Sequence, residues 1–403
     1  MEVTKNQHYV SQGILKNFAD EQKKTYELFI EKSIISKKSI SKTMSQNYVY
    51  EHPEIETNTI ENFFAKFEGI IIPIIDSIIS LVEENIKNDT SILGFIDRIN
   101  KIIPFVLLFY FRSGALLIEY AMDSENPRKD KVERMLQNIF DVSYIFGLKK
   151  TICECYDCAV IYDEEGRFLL SDQYVSTVAL KYKCRFSNAS NRQIGMKDTM
   201  ILLPLSSKLY VVFYEGRKPC YIKKNQISKL CEEEVQKIND VIFQNSYVKC
   251  VGKSLEELER VKSIPEGSFS PTKCILFYDN GSAQNRILKK EVFFYEEDRD
   301  MFIHFDQYAS IYKTSVERKI ERNSKCVCGS GKKYKNCCLR KYEEMERIIR
   351  DINNPRLANY TIEGVTAVEE SILEYYGPRE KMKNKNKEIL KVLEEIINEK
   401  QKT

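Results

Sequence analysis

The chain has 403 residues, and at roughly 150 residues per domain this length predicts two or three domains. Hydrophobic residues make up 43% and charged residues 30%, which excludes a fibrous or wholly disordered chain and leaves enough apolar side chains for a sizeable core. The 62 Lys and Arg nearly balance the 59 Asp and Glu, so the formal charge of +3 gives no global argument for a polyanionic partner, and any such affinity needs a local patch.

The N-terminus, Met-Glu-Val-Thr-Lys-Asn-Gln-His, lacks a basic start followed by an apolar run, so no signal peptide is expected. Residues 5 to 20 predict a short helix with Ile14, Leu15 and Phe18 on one face. Lys24 to Ile30 and Lys32 to Ile40 alternate like the strands of a hairpin, and Asn47 to Tyr50 is expected to close this small sheet. Asn58 to about Leu148 reads as helical. Asn58 is placed to cap the first helix, with Glu61 completing a capping box, and Ile60, Phe63, Phe64 and Phe67 recur at helical spacing. Further helices are expected near 90–120 and 130–145, with Pro73 and Pro104 predicting kinks or breaks. The longest apolar run, Ile102 to Phe111, is half the length of a bilayer span of about 20 residues, so a buried helix and no membrane segment are expected. A cytosolic, reducing compartment follows, in which the twelve cysteines are thiols or metal ligands rather than disulfides.

From Cys158 the period changes. Ala159–Tyr162, Phe168–Ser171, Val175–Ala179, Thr199–Leu203 and Leu209–Phe213 read as strands, and Ile227 to Asn245 as a helix with Leu230, Val235, Ile238 and Ile242 inward. Lys273–Tyr278 and Lys290–Tyr295 read as strands joined through Asp279-Asn280-Gly281. Leu339 to Ile352 is a charged helix stopped by Asn353-Asn354-Pro355. Glu369–Tyr376 and Glu380–Lys400 are expected helices, the second polar enough to be a solvated tail or partner helix. The class is α+β. The expected regions are 1–250 (helical block about 55–148, sheet about 158–215), a strand-containing extension 251–322, a cysteine knuckle 323–345 and C-terminal helices 346–403.

Residues 326 to 338 read Cys-Val-Cys-Gly-Ser-Gly-Lys-Lys-Tyr-Lys-Asn-Cys-Cys. Zinc takes four thiolates in a tetrahedron, and Cys326 and Cys328 with Cys337 and Cys338 supply them as two close pairs. Gly329-Ser330-Gly331 permits the positive backbone angles of the tight reversal between the pairs. Lys332, Lys333 and Lys335 offset the excess negative charge. A disulfide is the less natural reading, because reduced cysteines at ligand spacing usually mark a metal site. The segment resembles the SEC-C motif, found at the C-terminus of the bacterial preprotein translocase motor and appended to many unrelated bacterial proteins. That pattern is Cys-x-Cys-Gly-Ser-Gly-x-Lys-Tyr-Lys-x-Cys followed by Cys or His, and this chain meets every fixed position. The resemblance implies structural zinc on Cys326, Cys328, Cys337 and Cys338, and a docking surface for a protein such as a chaperone or the ribosome. Lys332, Lys333 and Lys335 with Tyr334 also suit RNA or phosphate, or form a solvated rim.

The first 250 residues resemble the bacterial domain-of-unknown-function 4238 family, whose members open with His-Tyr-x-Pro-x-x-x-Leu-x-x-Phe. Here His8, Tyr9, Leu15 and Phe18 fit, with Ser11 where proline is usual. The family's helical Glu-x6-Glu stretch resembles Glu61 to Glu68. Its Phe-x-Ser-Asp-x-Pro segment resembles Phe168 to Asp172 and beyond, with Tyr174 at the usual proline. Pro204-Leu205-Ser206 resembles its following strand, and Asn239 a later helical asparagine. The resemblance carries no settled activity.

Read physically, His8 sits among polar neighbours, Asp172 ends a strand at a turn, and Arg112 interrupts an apolar helix and needs a buried acceptor, for which Glu68 is placed. Together they suggest either a phosphodiester-cleaving or nucleotide-binding site or a set of structural anchors. Cys153, Cys155 and Cys158, with Cys184, raise a second metal site against the simpler reading of buried thiols. His304 and Asp306 alternate like one face of a strand, either a surface pair or a metal site. Two functions follow: a zinc-stabilised module that docks on a protein or RNA, or an enzyme on nucleic acid or nucleotide, such as a phage-defence effector, using His8, Arg112 and Asp172.

Overall fold

The computed structural model describes residues 4–88, 90–122, 124–181, 194–264, 272–277, 283–289, 292–303 and 319–343. The helices expected at 369–376 and 380–400, and Cys184, His304 and Asp306, lie outside the described residues. The fold is α+β, a helical layer against mostly antiparallel sheets.

The central sheet follows from an unbroken apolar pattern. β5 (Asp157–Tyr162), β7 (Ser176–Ala179), β8 (Thr199–Ser206), β9 (Leu209–Tyr214) and β10 (Ile227–Lys229) lie in the order β10-β5-β9-β8-β7, antiparallel except for the parallel β10–β5 pair. Every residue of β8 and β9 is buried, so both faces are covered, and the strands carry near-continuous Leu, Val and Phe rather than alternation. The register shifts between Pro204 and Ser206, where proline has no N–H to give the ladder.

A second sheet ties the ends of the domain together. β11 (Lys249–Gly252) lies antiparallel between β2 (Lys24–Phe29) and β6 (Leu170–Ser171), and β3 (Ile34–Ser39) completes the order β3-β2-β11-β6. The hairpin predicted at 24–40 is therefore the edge of a four-stranded sheet. Its expected third strand at 47–50 is not there. Instead β4 (Ser45–Asn47) pairs with β1 (Asn6–His8) in a separate ladder, and Tyr48 ends it with φ +55°. The helix expected at 5–20 accordingly begins as β1. Ser11 Oγ then accepts from Gly13 N–H (3.1 Å) to start α1 (Gln12–Leu15), followed by a 3-10 turn at Lys16–Phe18. Ile14, Leu15 and Phe18 still face inward and are fully buried.

The helical layer comprises α2 (Thr59–Asn85), α3 (Ile96–Phe111), α4 (Gly114–Ala121), α5 (Pro127–Phe140) and α6 (Val142–Cys155). The expected cap fails. Asn58 adopts φ +64°, and its Oδ1 accepts from Thr4 N–H (2.8 Å), tying down the N-terminal segment rather than the start of α2. Neither proline ends its helix: Pro73 lies within α2 and Pro104 within α3. Tertiary burial outweighs the roughly 3 kcal/mol cost of an internal proline, with Ile71, Ile75 and Ile78 fully buried around the first and all of Ile102–Phe111 around the second. No described helix alone is long and apolar enough to cross a membrane.

The helix expected from Ile227 starts later. Ile227–Lys229 is β10, and α7 spans Glu232–Asn245, with Val235, Ile238 and Ile242 inward and Leu230 buried from the connecting turn. The pairing of β10 with β5 overrides the helical period. Ser254 caps α8 (Leu255–Lys262) through Glu257 N–H, a helix absent from the sequence reading. β12 (Thr272–Phe277) pairs with β13 (Ala283–Lys289), so its partner lies ahead of the expected 290–295; within that stretch Phe293 bridges Ala179, and α9 (Glu296–Ile303) follows it.

Candidate metal centre and the polar sites of the large domain

The knuckle is built locally. Lys325 and Lys333 form an antiparallel bridge, and Cys326 N–H donates to Lys332 O (2.8 Å). Gly329 (φ +76°) and Gly331 (φ +71°) make the reversal between them. A 3-10 turn at Tyr334–Asn336 and the hydrogen bond from Cys337 N–H to Tyr334 O (3.0 Å) bring the second cysteine pair back to the first. Sulfur separations are 3.5 Å for Cys326–Cys328, 3.4 Å for Cys328–Cys337 and 3.8 Å for Cys337–Cys338. All four sulfurs lie within 4.8 Å of one another. A zinc tetrahedron with bonds of about 2.3 Å has edges of about 3.8 Å, so donor set and spacing both fit. Four protein sulfurs leave no open position, which makes such a site structural. The Ser330 hydroxyl and backbone N–H, with the neighbouring thiols, push Cys328 down to about 6, while burial pushes Cys338 up. Ser330 Oγ also lies 3.2 Å from Cys337 Sγ.

Lys332, Lys333 and Lys335 are exposed. Tyr334 is not available beside them, as the sequence reading required. It is 2% exposed and packs with Cys326 and Cys338 as the knuckle's own small core. Ile320, Leu339 and Tyr342 pack against this core from its edges and are only partly buried, so Tyr334 is its central large side chain. Residues 319–343 carry eight Lys and Arg against two Glu. With a whole-chain charge of +3, the rest of the chain is net acidic.

Among the residues singled out upstream, the structure brings Arg112, Glu68 and His8 into one electrostatic cluster. Arg112 follows the last residue of α3 and is 1% exposed. Its guanidinium bonds Glu68 from α2 and lies over the rings of Phe64 (4.4 Å) and Phe109 (4.6 Å). Arg112 Nε and Glu61 Oε2 are buried without a partner. Burial, opposed by Arg112 and reinforced by Glu68, raises the Glu61 carboxyl, while His8 is lowered chiefly by burial. The His8 ring faces Ile40 O at 3.1 Å. The main chain around it is tied by Tyr50, whose hydroxyl donates to His8 O (3.1 Å).

Asp172 does other work. Its carboxylate accepts from the backbone N–H groups of Tyr247 (2.8 Å), Val248 (2.8 Å) and Lys249 (3.0 Å), fastening the entry to β11. It borders an open cavity of about 570 Å³ whose walls include Tyr9, Lys131 and Lys249 but neither His8 nor Arg112. The three residues proposed as one site thus divide between a buried cluster and this groove. Each makes contacts typical of a structural anchor.

Two buried asparagines missed or only half seen in the sequence hold the sheets to α7. Asn239 accepts from Leu169 N–H (3.0 Å) and donates to Arg167 O (3.0 Å). Asn245 accepts from Thr177 N–H (3.2 Å) and donates to its O (3.1 Å). Their only sequence signal is a polar residue on the inward face of an amphipathic helix. Among the described residues, only the knuckle brings three or more His, Cys, Asp or Glu ligand atoms within metal-binding reach, so Cys153, Cys155 and Cys158 form no such group.

A SEC-C motif model matches residues 322–340. No curated protein and no solved structure matches the chain. The model described as "Protein of unknown function (DUF4238)" matches residues 6–255, more than half the chain, and with the large domain built from those residues this protein belongs to the DUF4238 family.

Proposed function

We propose that this protein is a zinc-stabilised docking protein of the bacterial cytosol, whose SEC-C knuckle carries an otherwise acidic chain onto an anionic partner, in the first place RNA. The observation that carries this reading is the concentration of charge: eight basic residues against two acidic ones between 319 and 343, with Lys332, Lys333 and Lys335 exposed on one turn. Zinc on four thiolates brings a net charge of about −2, which leaves the knuckle positive. With Tyr334 in the core, recognition rests on phosphate contacts rather than base stacking.

The test is RNA binding by the zinc-loaded chain across a salt series. Replacing Lys332, Lys333 and Lys335 by Ala lowers the salt slope by about 2, the share of three phosphate contacts on a single strand. An unchanged slope rejects RNA docking, and binding of an acidic protein that the same variant abolishes would move the reading to a protein partner. The enzyme reading draws less support, because the carboxylate of Asp172 is spent on three backbone N–H groups.

A further inference from the structure

The groove that holds Asp172 has apolar walls and a surplus of positive charge, a combination with no role in the folding contacts described above. Leu117 and Ile118 of α4, Met122 just past its end, and Tyr9 and Val248 supply its apolar lining. Gly114 opens it: a Cβ there would lie 2.7 Å from the Tyr9 ring, so only glycine lets that ring sit against the first turn of α4. Ile118 is 37% exposed, one of few large apolar side chains left in water among the described residues.

The charges at the rim do not cancel. Glu27 is 1% exposed in its side chain and is shared by two ammonium groups, Lys38 (2.5 Å) and Lys249 (3.3 Å), with Thr43 donating as well (2.6 Å). Asp172 gives its oxygens to backbone N–H groups. Lys131, on α5, is half-buried in the groove lining, and no carboxylate among the described residues pairs with it. Its pKa is lowered by burial and by Arg128, so an anion beside it would relieve an existing cost.

From this arrangement we infer that the groove is a binding site for a small amphiphilic carboxylate, its head on the Lys131 ammonium and its apolar body along Leu117, Ile118 and Met122. A single carboxylate matches the Lys131 ammonium without leaving a second charge desolvated. The volume lies within the range of small-molecule sites, about 300–1,000 Å³.

Calorimetric titration of the full zinc-loaded chain with octanoate, octanol and acetate tests this. Octanoate is expected to bind at one site per chain. Octanol lacks the charge-assisted bond and acetate the apolar body, so each binds at least about tenfold more weakly. Lys131→Met is expected to weaken octanoate by about tenfold or more. Ile118→Glu, at a partly exposed position that leaves Lys131 in place, should do the same by placing a like charge in the groove, and it decides the matter if Lys131→Met fails to fold. Absence of saturable octanoate binding, octanol binding as tight as octanoate, or octanoate binding unchanged in Ile118→Glu overturns the inference.

Discussion

The knuckle and the Arg112 cluster both hold charged groups in a confined space, and they do so by opposite means. In the knuckle every ligand comes from a stretch of thirteen residues, 326 to 338, and the charge of four thiolates fits a metal ion. Around Arg112 the partners come from distant segments: Glu68 lies 44 residues away and the carbonyl-binding Tyr50 62 residues away. No ion is needed there, only a finished fold. A site assembled locally is legible in sequence and fails alone. A site assembled at long range depends on the finished fold and fails with its domain.

The largest expected effect separates the two. Structural zinc is worth on the order of 10 kcal/mol, so chelation or Cys328→Ser should erase the amide protection of residues 319–343 in hydrogen exchange. The DUF4238 domain, which shares no ligand with it, should keep its melting temperature. A matching fall in that temperature would break the comparison by showing that the domain depends on the knuckle. Next comes Arg112→Met, which strands Glu68 beside a buried, partly polar core. Denaturant unfolding should show a loss of about 3–5 kcal/mol, the range for breaking a buried ion pair from one side, with zinc content unchanged. Asp172→Ala should cost about 2–3 kcal/mol, since three half-buried backbone N–H groups lose a charged acceptor. Asp172→Asn keeps one acceptor oxygen and should recover part of that loss. If instead neither change alters stability, Asp172 is not the fastening of β11.

The smallest effect is a pH dependence. The folded state holds His8 below its ordinary value of 6.5, so it favours the neutral ring. That contribution is complete above pH 6.5 and is lost as the pH falls below it, because the unfolded chain then takes up the proton more readily. Glu61 acts in the opposite sense, with its carboxyl raised, so stability gains from it as pH falls toward 4.5. The difference between wild type and His8→Gln isolates the histidine, and the variant should lose less stability between pH 7 and 5.5. Equal slopes for the two proteins would mean that His8 is as solvated in the fold as out of it.

Periodicity served well where a segment's environment repeats along its own length. The strands near 157–162, 199–206 and 209–214 were visible because both faces of a central strand are apolar. Arg112 and Glu68 were visible as neighbours because an arginine within an apolar helix must find an acceptor, and Glu68 stands one turn from Phe64. Asn58 and Ile227 misled for one reason: each has a strong local preference that a distant partner overrode, respectively Thr4 and β5.

By itself, then, the sequence determined the knuckle, its four ligands and the α+β class, because these depend on spacing, turn chemistry and the alternation of apolar residues over short stretches. Only the tertiary structure decided that β2 pairs with β11 across more than two hundred residues, that Asp172 serves a backbone turn, that Tyr334 is a core residue, and that Lys131 is left over a groove. Those outcomes turn on which distant group makes the more favourable hydrogen bond or apolar contact in the finished fold, and no local pattern records that.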